Sequence, residues 1–110
     1  MGKFEITKRK NGEFQFNLKA GNGQVILTSE GYTTKGNCIK GIESVKKNSQ
    51  DDSKFEQKTA VNGKAYFNLK ATNGQIIGSS QMYESEASRN NGIASVKTNA
   101  PDADIVELLD

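Results

Sequence analysis

Cys38 is the single thiol of the chain, and no histidine stands anywhere in the 110 residues to activate it. Nucleophilic designs built on a Ser–His or Cys–His pair are therefore excluded. So is the side chain that most often carries protons near neutral pH. Cys38 also falls on the apolar stripe of a helix, where a thiol behaves as a small hydrophobe. The acids Asp51-Asp52-Ser53 and Pro101-Asp102-Ala103-Asp104 lack the alternating oxygen ligands and distal bidentate Glu of a calcium loop. They read as solvated connections, and no Cys/acid set has metal-ligand spacing. The residues thus name no catalytic, metal or cofactor-binding group, and neither an enzyme nor a cofactor is expected.

Binding is the remaining chemistry. Gly21-Asn22-Gly23 lies between two strands, whereas a phosphate cradle leads from a strand into a helix. It reads as a hairpin turn. Lys8, Arg9 and Lys10 form a short basic run, and Lys19, Lys70 and Tyr66 alternate with Asn17 and Asn68 on strand faces. Aromatic and basic residues on an open sheet can stack bases and meet phosphates, which makes weak nucleic-acid binding the alternative reading. A net charge of +2 argues against it as the main one.

The elements that position these residues come from a duplication. Residues 17–24, NLKAGNGQ, return at 68–75 as NLKATNGQ, a shift of 51 (68 − 17), and that shift aligns 3–53 with 54–104 without a gap. About 23 of the 51 aligned positions are identical. Residues 104–109 then fall on the register of 53–58, so a segment that opens one unit also closes one. The chain is one compact domain, 1–110, with repeat 1 at 3–53, repeat 2 at 54–104 and a closing strand at 105–110. A lone unit of this size would bury too little apolar surface, which is a physical reason for joining two.

Within each unit, alternation predicts a half-buried strand. Phe14, Phe16, Leu18 and Ala20 share one face and Gln15, Asn17 and Lys19 the other, as do Ala65, Phe67, Leu69 and Ala71 against Tyr66, Asn68 and Lys70. Asn11-Gly12 marks a hairpin. A three-residue loop, Lys10-Asn11-Gly12, sets Ile6 opposite Phe16 and Phe4 opposite Leu18, with Gly12 left-handed. At the second hairpin a two-residue turn sets Leu27 opposite Leu18 but Gly78 opposite Leu69. A three-residue loop sets Ile26 and Ile77 there instead, and the repeat favours it. Thr34 and Ser85 then cap helices that carry Cys38, Ile42 and Val45, or Arg89, Ile93 and Val96, at helical spacing. Gly41 and Gly92 sit mid-helix at a cost of roughly 1 kcal/mol each, so close packing is expected there. Asn48 and Asn99 suit the helix ends. The architecture is α+β: duplicated β(3)-α-β units forming one antiparallel sheet, both helices on one face, related by a pseudo-twofold.

The pattern NLKA.NGQ.I, a following Tyr, a Ser/Thr-rich helix start and GI.SVK.N resembles the YegP-like family of small bacterial proteins, across essentially the whole chain. Members carry one or two copies of a domain of unknown function. The resemblance implies paired units in a single sheet with exchanged C-terminal strands, and homodimers where one copy is present. The two-copy chain is accordingly expected to be a monomer. Two departures stand out: Ser49-Gln50-Asp51 replaces Ala100-Pro101-Asp102, and Arg89 stands at the place of Cys38. The family has no established activity, so no site residues carry over.

One polar set is kept in both copies: Asn17/Asn68, Lys19/Lys70, Tyr32/Tyr83 and Ser44/Ser95. Surface positions are seldom held for stability, since changes there cost within about 0.5 kcal/mol. The candidate binding surface is therefore Asn17, Lys19, Asn68, Lys70, Tyr66, Tyr32 and Tyr83, on the helix-free side. The expected function is a non-enzymatic binding or interaction module using that face or a sheet edge; the residues do not identify its partner, with a protein favoured over nucleic acid. One cysteine fits a reducing compartment, the start MGKFEITKRK has no apolar signal region, and no apolar run approaches membrane-spanning length. A cytoplasmic location without membrane attachment is expected.

Overall fold

A computed structural model describes residues 2–109. Three strands, β1 (Lys3–Lys8), β2 (Phe14–Lys19) and β3 (Val25–Thr28), lead into helix α1 (Lys35–Asn48). One turn of 3₁₀ helix (Asp52–Lys54) precedes β4 (Phe55–Thr59), β5 (Ala65–Lys70), β6 (Ile76–Ser79), helix α2 (Glu86–Asn99) and β7 (Asp104–Glu107). The seven strands form a single sheet in the order β4-β5-β6-β3-β2-β1-β7.

The repeat is visible in this order. The two units meet at β3 and β6 through one pair, Thr28 opposite Ser79, which are themselves repeat counterparts (79 − 28 = 51). The pseudo-twofold axis runs through that pair. The closing strands are exchanged: β4, which follows α1, lies beside β5, and β7, which follows α2, lies beside β1.

The sheet is mixed rather than wholly antiparallel. β7 runs parallel to β1, Lys3 opposite Asp104 through Ile6 opposite Glu107. A parallel neighbour needs a long crossover, and α2 provides it by carrying the chain from β6 across the helix face to the far edge. The last residue of the closing segment expected at 105–110, Asp110, lies outside the described residues.

The first hairpin has the expected register, with Ile6 opposite Phe16 and Phe4 opposite Leu18. Gly12 takes φ 89°, a conformation open to glycine at little cost. The second hairpin differs from expectation in register. Its loop has three residues, as Ala20 N–H donates to the Gln24 carbonyl, but a bulge between Leu18 and Lys19 then sets Leu27 opposite Leu18. An equal bulge after Leu69 sets Gly78 opposite Leu69. The extra residue shifts the pairing by one, and Ile26 and Ile77 stay in the core beside the bulges.

Phe4, Ile6, Phe16, Leu18, Leu27, Phe67 and Leu69 face the helices and are fully buried, under Cys38, Ile42, Val45 and Val96. Thr34 and Ser85 cap as expected, their hydroxyls accepting from Asn37 N–H and Ser88 N–H at 3.1 Å each. Asn48 and Asn99 end the helices by a different device. Each carboxamide donates back to the carbonyl and hydroxyl of the serine one turn earlier, Ser44 or Ser95.

Candidate functional site

The period of two that buries Phe16 and Leu18 turns Gln15, Asn17 and Lys19 to the opposite, helix-free face. Lys19 Nζ lies 2.9 Å from Glu5 Oε1 on the neighbouring strand, and Lys3 Nζ lies 3.4 Å from Glu5 Oε2. The second unit repeats the arrangement with the counterpart acid, Glu56, which holds Lys70 Nζ at 3.0 Å. There Asn68 adds two bonds, donating to Glu56 Oε1 (3.1 Å) and accepting from the Ser79 hydroxyl (2.7 Å). Lys19 holds the Glu5 carboxyl below its ordinary value, chiefly by hydrogen bonding. Asn68, and then Lys70, do the same for Glu56. Both acids are therefore favoured in their ionised form, Glu5 buried beneath its lysines and Glu56 half-buried.

Strand alternation alone does not single out these two acids, although the repeated Lys-Phe-Glu at 3–5 and 54–56 is a signal for them. They supply a structural reason for three of the four retained Asn and Lys residues. Asn17 is the exception: among the described residues its half-buried side chain has no hydrogen-bond partner in the protein, while its strand neighbours are Glu5 and Thr28. Tyr66 is also half-buried on this face, at the place Gln15 holds in the first unit (66 − 15 = 51).

Between the clusters an open groove of about 640 Å³ lies over the seam of the two units, with Arg9, Gln15, Thr28, Ser79 and Gln81 among its lining residues. Its serines are committed to the fold. Ser29 Oγ accepts from Phe16 N–H and donates to the Glu30 carbonyl, and Ser80 does the same with Phe67 and Gln81. Arg9 is steadied by Gln15 Oε1 at 3.3 Å and Glu13 Oε1 at 3.5 Å. Lys8 leans over the Phe14 ring, 5.6 Å from its centroid, and Lys10 is exposed at the hairpin tip.

Two members of the candidate set lie elsewhere. Tyr32 and Tyr83 pack on the helix side, not on the polar face. The Tyr32 ring stacks on Phe16 at 6.2 Å between centroids, and a Cβ on Gly41 would lie 2.3 Å from its hydroxyl. Tyr83 meets Gly92 in the same way at 2.4 Å. Each tyrosine follows its third strand through an isolated bridge, Tyr32 to Phe14 and Tyr83 to Ala65, which fixes it beneath the helix. The tyrosines and the mid-helix glycines are thus kept together for packing, and Ser44 and Ser95 are kept for the helix ends.

Cys38 is fully buried, and burial pushes its thiol up to about 11, so the thiolate is scarce near neutral pH. Its counterpart Arg89 is also buried, donating to Gln57 Oε1 at 3.0 Å and Asn90 Oδ1 at 3.4 Å. Among the described residues, no group of three or more Cys, Asp and Glu side chains is placed to hold a metal ion. Among the same residues, no helix is long and apolar enough to cross a membrane.

Comparison with known proteins bears on the whole chain. The family described as Domain of unknown function (DUF1508) matches twice, at residues 10–56 and 60–107. A "UPF0339 protein in ptx operon 5'region" from Stutzerimonas stutzeri is 58% identical over 107 residues, 97% of this chain and 96% of that protein. The "UPF0339 protein YegP" of Shigella flexneri is 60% identical over 98 residues, 89% of each chain. The solution NMR structure of yegP from E. coli, a protein of unknown function, superposes with a TM-score of 0.94 at 55% identity, covering 98% of this chain and 93% of that one.

Proposed function

The chain belongs to the DUF1508 family as a tandem two-copy member, and we propose that it works as a cytoplasmic, non-enzymatic interaction module whose helix-free sheet face receives a protein. One observation carries this reading. The same Glu–Lys arrangement, Glu5 with Lys19 and Glu56 with Lys70, is built twice on an open face, on either side of a groove over the seam. The part-exposed Glu56–Lys70 pair adds little to stability, about 0–1 kcal/mol, whereas Glu5 is buried and its pairing with Lys19 also serves the fold. Matched charges on a sheet surface instead favour recognition of a complementary partner. Asn17, whose side chain has no hydrogen-bond partner among the described residues, belongs to the same surface.

A protein partner is favoured over nucleic acid because Lys19, Lys70 and Arg9 are each neutralised by a carboxylate of the chain. A phosphate-tracking surface needs free cations. The test is affinity capture from native cytoplasm with the wild-type chain and with Asn17→Ala/Lys19→Gln/Lys70→Gln. The variant should melt within a few degrees of wild type and lose the captured partner. Equal recovery by both would remove the face from consideration. Salt-dependent binding of labelled single-stranded RNA or DNA would instead support the alternative.

A further inference from the structure

β1 and β4 are repeat counterparts (3 + 51 = 54), but their outer edges differ. β1 is covered by β7, and the Ile6 carbonyl accepts the Leu108 N–H at 2.8 Å. β4 ends the sheet and, among the described residues, has no neighbour on its outer side. The repeat segment that would cover it, residues 53–56, is itself used to make the 3₁₀ turn and the start of β4. The effect on packing is direct: Phe4 is fully buried, and its counterpart Phe55 is only half-buried.

The same edge holds an uncompensated charge. Arg89 is 5% exposed, and its partners among the described residues, Gln57 and Asn90, offer neutral amide oxygens only. A buried guanidinium ordinarily has a carboxylate beside it. The covered edge shows where one would come from. Glu107 of β7 stands opposite Ile6 and pairs with Lys35 at 3.1 Å. Ile6 corresponds to Gln57 (6 + 51 = 57), the residue that Arg89 holds. On α2 the place of Lys35 is taken by Glu86 (35 + 51 = 86), so the cation available to an incoming acid is Arg89, one turn further along.

We infer that the outer edge of β4 accepts an extended acidic segment of another protein, in parallel register, with a carboxylate opposite Gln57 and beside Arg89. The inference rests on the interaction reading and gives it a partner chemistry. The strand added would supply backbone hydrogen bonds to the edge, and the acid would set its register.

The probe is a synthetic peptide of residues 102–109, DADIVELL, titrated into the isotope-labelled full chain and followed by amide NMR. Its intramolecular copy keeps β1 occupied through high effective concentration. Shifts at residues 54–59 at or below on the order of 1 mM peptide are expected. A peptide with Glu107→Lys should bind at least tenfold more weakly, as should the protein Gln57→Ile/Arg89→Cys, which carries the first unit's residues. If that protein fails to fold, the peptide variant poses the same question to the unaltered chain. Shifts confined to residues 3–8, equal binding of both peptides, or no shifts would overturn the inference. A partner captured by the native chain and lost with the face variant would still uphold the broader interaction reading, so the two failures are distinguishable.

Discussion

Leu27 fills the space that a side chain at residue 78 would occupy: its Cγ lies 2.7 Å from where a Cβ on Gly78 would stand. The two are repeat counterparts (78 − 27 = 51) on the core side of the pseudo-twofold axis. Two leucines there would collide, so the second unit gives up its side chain to receive that of the first. A tandem chain can break its symmetry in this way, whereas a symmetric pair of identical units cannot.

That relationship predicts non-additive stability. Gly78→Leu should destabilise by about 1–3 kcal/mol through overpacking, and Leu27→Ala by about 2–5 kcal/mol through a cavity. The double variant should cost less than the sum, because the new leucine enters the vacated space. Urea denaturation of the four proteins measures the coupling, and strict additivity would mean that the contact is not shared.

Gly41 under Tyr32 predicts a change of sign. Alanine is favoured over glycine in a helix by roughly 1 kcal/mol, yet Gly41→Ala should destabilise, since the Tyr32 ring is backed by Phe16 and has little room to yield. In a Tyr32→Ala background the same substitution should become neutral or stabilising. Thermal melts of the four combinations decide it.

The acid limb of stability should depend on Glu5 and Glu56. Both carboxyls sit below their ordinary value of 4.5 in the folded chain. Their contribution is therefore complete above 4.5 and is lost as the pH falls through the lower folded values. Melting temperature followed from about pH 7 to pH 3 should drop less steeply for Glu5→Gln/Glu56→Gln than for wild type. Parallel curves would show that other acids set this limb.

Cys38 offers a probe of opening. With its thiol buried under α1 and pushed up to about 11, labelling by a thiol reagent should require exposure of the core. The labelling rate in rising urea should follow the unfolded population. Rapid labelling in water alone would show that α1 lifts from the sheet independently.

Much of this architecture was legible in the sequence because two copies constrain each other. Asn11-Gly12 and alternating apolar residues were enough to pair Ile6 with Phe16. Parity failed at Leu18, where a bulge adds a residue and the surrounding letters look the same with or without it. Retention of Tyr32 and Tyr83 as polar residues in both copies points to the polar face, but each lies outside a continuous strand, where alternation says nothing about direction. The mid-helix glycines at 41 and 92 were the better signal, since they announced a close neighbour without naming it. The parallel direction of β7 was hidden for another reason: a four-residue strand carries no mark of orientation, and its direction is set by the helix that delivers it.

The pairing of β1 with β7 also determines how the molecule would respond to force. The two strands lie side by side and point the same way, one near the start of the chain and the other near its end. Tension applied to the two ends would therefore act along both strands in opposite senses. It would load their shared hydrogen bonds together, in shear, instead of peeling them apart one by one. The ladder that completes the core of the first unit is thereby also the molecule's mechanical clasp.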